Sequence, residues 1–187
     1  VVLPPIGLGY LAAYLNRQLA NLDIRILDCN RERLTAAQFK KSLLEIKPDV
    51  IGFTALSMEL DSAFALASTA KVARKEACII FGGPHASSAP EKILSNPHID
   101  YVFRGEAEIG LTEFLKHFHS PQKLDAPGLG YRRDGKMCFN APKVIDALDE
   151  IPFPDYARIQ FEKYPKMYFM KYSPAAPLVS SRGCPFR

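Results

Sequence analysis

The stretch Ala77–Ala86, Ala-Cys-Ile-Ile-Phe-Gly-Gly-Pro-His-Ala, constrains the fold more than any other part of the chain. Cys78, Ile79, Ile80 and Phe81 form a short continuous apolar run. That pattern belongs to a strand covered on both faces, as in a parallel sheet flanked by helices. The run stops at Gly82-Gly83-Pro84, a triplet foreign to the interior of a strand or a helix. Paired glycines permit positive φ and leave no Cβ in the way of a closely approaching group. Ligands of open parallel sheets bind beyond the carboxyl ends of the strands, so this turn marks where a site is expected. An ordinary strand-to-helix turn would use the same residues.

On either side of this strand the pattern alternates. Leu8, Leu11, Ala12, Leu15 and Leu19 share one helical face, delivered by the turn Pro4-Pro5-Ile6-Gly7. Asp23–Asp28 alternates polar and apolar residues and predicts a half-covered strand. Thr35 followed by Gln38 is a capping-box signature, ahead of a helix with a Phe39, Leu43, Ile46 stripe that Pro48 ends. Residues 49–56 predict a buried strand, and Leu60, Ala63, Phe64, Ala67 and Lys71 a third helix. A short helix over 90–94, a strand over 100–103 and a closing helix marked by Leu111, Phe114, Leu115 and Phe118 follow. Regular alternation of this kind predicts an α/β fold, a parallel sheet with right-handed crossovers and helices on both faces. Such a fold normally opens on a strand, whereas here a helix comes first and the chain begins at Val1. A fragment cut just after its first strand is therefore expected.

Beyond Ser120 the rhythm changes. Residues 129–132 and 136–139 flank Arg133-Asp134-Gly135 and predict a hairpin. Residues 148–156 form a proline-punctuated linker, and 176–187 read as one more strand meeting a loop. The expected division is a domain over 1–120, a hairpin and linker over 121–175, and the start of another domain over 176–187.

At 187 residues and 48% hydrophobic content, the chain has material for one full domain and part of another. No apolar run approaches the ~20 residues of a membrane-spanning helix, and no basic-then-apolar leader opens the chain. Twenty-four basic against twenty acidic residues give +4, spread without a dense Lys/Arg patch, which argues against a nucleic-acid partner. Cys29, Cys78, Cys138 and Cys184 stand far apart with no Cys-x-x-Cys pair. Free thiols in a reducing cytoplasm are expected rather than disulfides.

Three loops fall at the carboxyl ends of predicted strands: Thr54-Ala55-Leu56-Ser57, Gly82-Gly83-Pro84-His85 and Arg104-Gly105-Glu106. A fourth, Pro4 to Gly9, would follow the first strand. Hydroxyls, glycines and backbone amides there suit a large ligand with amide and phosphate groups. Each feature also has a plainer reading. A Thr or Ser in such a loop caps helices, His85 fits a turn, and Glu106 and Glu108 suit the first turn of a helix dipole.

Five strings, in order, resemble the B12-dependent radical SAM enzymes. Pro4-Pro5-Ile6-Gly7-Leu8-Gly9-Tyr10-Leu11-Ala12-Ala13-Tyr14-Leu15 is similar to the opening of their cobalamin-binding domain. Gly82-Gly83-Pro84-His85-Ala86 and Tyr101-Val102-Phe103-Arg104-Gly105-Glu106-Ala107-Glu108 resemble two further signatures. Leu148-Asp149-Glu150-Ile151-Pro152-Phe153-Pro154 resembles the linker, and Ser181-Arg182-Gly183-Cys184-Pro185-Phe186 the start of the radical SAM domain. The resemblance implies a flavodoxin-like, Rossmann-type domain holding cobalamin, followed by a partial TIM-type barrel with a 4Fe-4S cluster and S-adenosylmethionine. It implies cofactor contacts from Pro5, Gly7, Gly9, Thr54, Ala55, Leu56, Ser57, Gly82, Gly83, Pro84, His85, Arg104, Gly105 and Glu106. The parent enzyme would transfer a methyl group to, or cyclise, an unactivated carbon of an organic substrate by way of a SAM-derived radical.

In that family three thiolates in Cys-x-x-x-Cys-x-x-Cys leave one iron free for SAM. Cys184 would be the first; the others would fall at 188 and 191, beyond Arg187. The fragment alone is therefore expected to be inactive. Many B12-binding domains also carry Asp-x-His-x-x-Gly, whose histidine ligates cobalt. Aligned on Gly7, Val2 and Pro4 take the places of the aspartate and histidine, and neither side chain is a donor. Cobalamin would then bind base-off without that ligand, its tail held at Gly82 and Gly83. The rival reading is a stand-alone flavodoxin-like module for a nucleotide, or a receiver-type signalling domain, although no G-x-G-x-x-G follows any strand.

Overall fold

In the computed structural model, which describes residues 3–166, 168 and 170–183, the apolar runs read from the sequence become strands of one sheet. In chain order these are β1 (Val50–Thr54), β2 (Cys78–Gly82), β3 (Tyr101–Phe103), β4 (Leu129–Arg133) and β5 (Lys136–Phe139). The helices are α1 (Ile6–Gln18), α2 (Ala36–Ile46), α3 (Leu60–Ala73), α4 (Pro84–Ser88), α5 (Pro90–Leu94), α6 (Ala107–Lys116) and α7 (Tyr156–Ile159). The chain divides into two units. One spans Leu34–Val144 and contains the whole sheet; the other joins Val1–Arg33 to Ile145–Arg187.

Strand order follows chain order, β1-β2-β3-β4-β5. β1, β2 and β3 run parallel, with Phe53 opposite Phe81, Thr54 opposite Gly82, and Phe81 opposite Val102. The α/β fold expected from alternating patterns is present, as a mixed rather than wholly parallel sheet. Local signals hold where they were read. Thr35 accepts from the Gln38 amide while the Gln38 side chain accepts from the Thr35 amide, and Lys47 ends α2 in a left-handed conformation before Pro48.

Both faces of the parallel strands carry apolar packing, as residues alternate sides along each strand. On one face the Phe53 and Phe81 rings stack at 5.1 Å, with Phe64 of α3 at 5.9 Å from Phe81 and Phe39 of α2 at 6.3 Å from Phe53. On the other, Val50, Cys78, Ile80, Tyr101 and Phe103 pack with Phe114 of α6 and with Leu129. Burial of each large apolar side chain there contributes about 1.5–3 kcal/mol. Gly110 lets α6 come this close, because a Cβ would fall 2.1 Å from the Pro127 carbonyl oxygen. At the amino end of the strands, one carboxylate oxygen of Asp100 accepts from the Ile79 amide at 2.7 Å and from Lys71 Nζ at 2.8 Å.

Three readings of the sequence are revised. The hairpin expected beyond the sheet continues it instead. β4 pairs antiparallel with β3, Phe103 opposite Leu129, and β5 follows through a turn in which Asp134 and Gly135 both have positive φ, 51° and 73°. The reason lies in Gly130, where a Cβ would stand 2.6 Å from Val102 and 2.7 Å from the Phe139 ring. Only glycine allows so close an approach. Asp23–Asp28, second, is not a strand, and no described residue pairs with it. Alternation marks a segment able to form a strand, but a ladder needs a second segment beside it, and among the described residues none lies there. Third, residues 176–183 carry no regular secondary structure; 184–187 lie outside the described residues.

In the second unit, α1 meets the linker. The Asp155 amide donates to the Gly9 carbonyl at 3.0 Å, and Tyr156 donates to the Pro177 carbonyl at 2.7 Å. Tyr164 donates to Asp28, and the Arg31 guanidinium lies 5.2 Å from the centre of the Tyr164 ring.

Candidate functional site

The parallel register ends β1 and β2 together, Thr54 opposite Gly82, so the loops that follow leave the sheet side by side. Gly83 has φ 92° and ψ −171°, a region open essentially to glycine alone. A Cβ there would stand 2.4 Å from Thr54 Oγ1, so the glycine also lets the second loop pass against the first. Past it, Ser57 Oγ lies 2.9 Å from Nδ1 of His85. A second tie joins the loops after β2 and β3: Ser87 Oγ donates to the Gly83 carbonyl at 3.0 Å and accepts from the Gly105 amide at 2.9 Å. Thr54, Ser57, Gly83, His85 and Gly105 are thereby assembled into one surface.

His85 gives this surface its chemical direction. Its ring is half-buried, and Nε2 is fully shielded without a hydrogen-bond partner. If Ser57 donates to Nδ1, the proton sits on Nε2 and lacks an acceptor; in the other tautomer Nε2 is a lone pair lacking a donor. Either way the ring holds one further hydrogen bond in reserve, and a buried polar atom left so is costly.

The other sequence-derived candidates fall into different settings. Leu56, Pro84 and Gly105 are exposed, whereas Ala55 is buried. Arg104 is held by the hairpin, donating to the Asn140 carbonyl at 2.7 Å with its guanidinium 5.1 Å from the centre of the Phe139 ring. Glu106 precedes the first turn of α6. In the other unit, Pro5 precedes α1 and Gly7 is exposed with nothing within 4 Å of a Cβ position. A Cβ on Gly9 would meet Pro154 at 3.1 Å and Ile159 at 3.2 Å, so this glycine serves helix packing. Cys184 lies outside the described residues, and among those described no three His, Cys, Asp or Glu side chains gather as a metal site.

Two residues on this end of the sheet were not singled out from the sequence. Ser87 bridges two loops, a role invisible in a Ser-Ser pair. Gly52 interrupts the apolar run of β1 and is exposed, with nothing within 4 Å of where a Cβ would be. A glycine inside a strand pattern is itself a signal of close approach. Away from this surface, burial pushes the Cys78 thiol up to about 12, which makes it a packing residue rather than a nucleophile.

The family model described as B12 binding domain matches residues 1–115. An uncharacterized methyltransferase of Pyrococcus horikoshii is 33% identical over 186 residues, covering 98% of this chain and 39% of the relative. The anaerobic magnesium-protoporphyrin IX monomethyl ester cyclase of Rubrivivax gelatinosus is 28% identical over 190 residues, covering 98% of this chain and 34% of the relative. Among solved structures, the cobalamin-dependent S-adenosylmethionine radical enzyme OxsB, with aqua-cobalamin and S-adenosylmethionine bound, superposes with a TM-score of 0.70. That match is 24% identical and covers 86% of this chain and 23% of OxsB, and it establishes the fold. The chain thus spans well under half the length of each of these proteins.

Proposed function

The chain belongs to the B12-binding domain family, and from that premise we propose that the surface beyond β1, β2 and β3 is where it holds cobalamin. The observation that carries this assignment is the buried, unpartnered Nε2 of His85, set beside Gly83, whose positive φ and close pass by Thr54 keep the loop free of a side chain. A corrin rimmed with amides supplies both donors and acceptors for such an atom. Thr54, Ser57, Gly82, Gly83 and Gly105 supply hydroxyls and bare backbone around it, with Ala55, Leu56, Pro84, Arg104 and Glu106 completing the three loops. Pro5, Gly7 and Gly9 belong to the other unit, and their assignment as cofactor contacts rests on the family signature alone.

Within the site, Ser57 fixes the His85 ring through Nδ1 and so decides which way Nε2 can bond. Ser87 keeps the second and third loops in register through Gly83 and Gly105. Pro4 offers no side-chain donor, so the cofactor is bound without a histidine ligand from that loop. Bound cobalamin supplies a reducible cobalt centre suited to methyl-group transfer.

For the whole protein, the reading is a radical SAM enzyme that methylates or cyclises an unactivated carbon. Methyltransferase and cyclase relatives support both chemistries. Residues 1–120 form its cobalamin domain, 121–175 the hairpin and linker, and 176–187 the start of the radical SAM domain. Cys184 is assigned as the first ligand of a 4Fe-4S cluster that binds S-adenosylmethionine. A cytoplasmic setting accords with three unpaired described cysteines, and no described helix is long and apolar enough to cross a membrane.

Equilibrium dialysis of the chain against aqua-cobalamin, read by visible absorbance, tests the assignment. One equivalent should be retained, and His85→Ala should weaken retention about tenfold, the worth of one well-placed hydrogen bond. Failure of the folded wild-type chain to retain cobalamin would refute it.

A further inference from the structure

We infer that Asn140 is a positioning residue for the cofactor surface, and that the β4–β5 hairpin is thereby a working support of that surface. This rests on the cobalamin reading above and extends it to residues outside the three loops.

The third loop, Arg104-Gly105-Glu106, turns at an exposed glycine. Gly105 has φ 70°, a conformation that glycine adopts without steric cost and leaves as easily. On the inner side its amide donates to Ser87 Oγ at 2.9 Å, the bond that joins it to the second loop. On the outer side the ties run to the hairpin and the turn before it. The Arg104 amide donates to the Gly128 carbonyl at 2.9 Å, and Nη2 of its side chain donates to the Asn140 carbonyl at 2.7 Å. The Arg104 guanidinium lies over the Phe139 ring, and a Cβ on Gly105 would meet Pro142 at 3.4 Å.

These ties converge on Asn140. Its side-chain nitrogen donates to the Leu124 carbonyl at 2.7 Å and to the Ala126 carbonyl at 2.8 Å, which uses both amide hydrogens. Its backbone amide donates to the Leu129 carbonyl at 2.8 Å. Three engaged hydrogens fix the residue in place and keep its carbonyl aimed at Arg104. Because those hydrogens are spent inside the fold, Asn140 acts on the surface through Arg104 rather than by contact.

Elsewhere on the hairpin a different arginine makes the contrast. Arg132 donates to the Leu94 and Ile99 carbonyls, which lie toward the amino end of β3. It fastens the hairpin to the fold without a tie to the third loop. All of these residues belong to the unit that contains the sheet. The family match ends at residue 115, so the third loop is held in part by residues beyond the match.

The test measures aqua-cobalamin affinity and urea stability together on the wild-type chain, Asn140→Ala, Arg104→Gln, their double variant and Arg132→Gln. A loop less often in place lowers the binding-competent fraction. Folded Asn140→Ala should therefore bind about fivefold more weakly, the worth of one net hydrogen bond. In the Arg104→Gln background the same substitution should change affinity by less than about twofold, because its route to the surface is gone. Arg132→Gln should lose stability and keep wild-type affinity. Unchanged affinity in folded Asn140→Ala overturns the inference, as do additive losses in the double variant or an equal loss of affinity in Arg132→Gln. If Asn140→Ala fails to fold, hydrogen exchange on the wild type decides. Cobalamin should then slow exchange at the Asn140 amide as well as at Gly105, since coupling between two positions is reciprocal. Protection gained at Gly105 alone would overturn it. A folded wild type that binds no cobalamin would refute the cobalamin reading itself, and with it this one.

Discussion

Gly82 and Gly83 are adjacent and identical in the sequence, yet the structure assigns them opposite sensitivities to a single methyl group. Gly83→Ala forces a side chain into φ 92°, ψ −171°, a strain of about 1–3 kcal/mol. The new Cβ also meets Thr54 Oγ1 at 2.4 Å. Thr54 must turn about χ1 to escape, at roughly 0.5–1.5 kcal/mol. Loss of unfolded-chain entropy returns about 0.4–1 kcal/mol. The net expectation is a destabilisation near 2 kcal/mol, taking the middle of each range. In a Thr54→Ala background the contact part disappears and the same substitution should cost about 1 kcal/mol, the φ strain less the entropy. Gly82→Ala has nothing within 4 Å of its Cβ and no positive φ, so it should stay within about 0.5 kcal/mol of wild type. Urea unfolding followed by far-ultraviolet circular dichroism measures all four, since the chain has no tryptophan to report by fluorescence. A Gly83→Ala variant as stable as Gly82→Ala would refute both the backbone conformation at residue 83 and the loop contact argued from it.

Two further perturbations probe the body of the sheet. Asp100→Ala should destabilise by about 2 kcal/mol in urea, because the Ile79 amide and Lys71 lose their shared acceptor. Asp100→Asn, which keeps an oxygen for the amide, should lose less, and equal losses would discount the hydrogen bond. Burial raises the Cys78 thiol from 9.0 to about 12, so between those values the folded chain keeps a proton that the unfolded chain has released. By linkage Cys78 contributes its full share of stability below pH 9 and loses it as the pH rises toward 12. Stability should therefore fall more steeply over that window in wild type than in Cys78→Ala, and parallel curves would contradict a buried thiol.

Features set within a few residues were legible in the chain itself. The capping box at Thr35 and Gln38, the apolar run of β2, the stop at Gly82-Gly83 and the Asp134-Gly135 turn each depend on local backbone preference or short-range periodicity. Those forces act before any distant segment is met. The order of the loops at the strand ends was legible for the same reason, since each follows its own strand. What periodicity does not carry is the partner of a strand. Asp23–Asp28 alternates as a strand should, but alternation is a property of one segment and a ladder needs two. The hairpin was recognisable as a hairpin, while its attachment to β3 depends on how closely Gly130 meets Val102 and Phe139 across the fold. The candidate site divides the same way. Glycines, hydroxyls and His85 could be named from the sequence, but the pairing of Ser57 with His85 and the bridge through Ser87 exist only once three separate segments lie side by side. The sequence by itself determined the capped helices, the turns and the apolar runs able to become strands, because those preferences are local. Tertiary structure alone decided which segments are neighbours, because that choice turns on close approach between residues far apart in the chain.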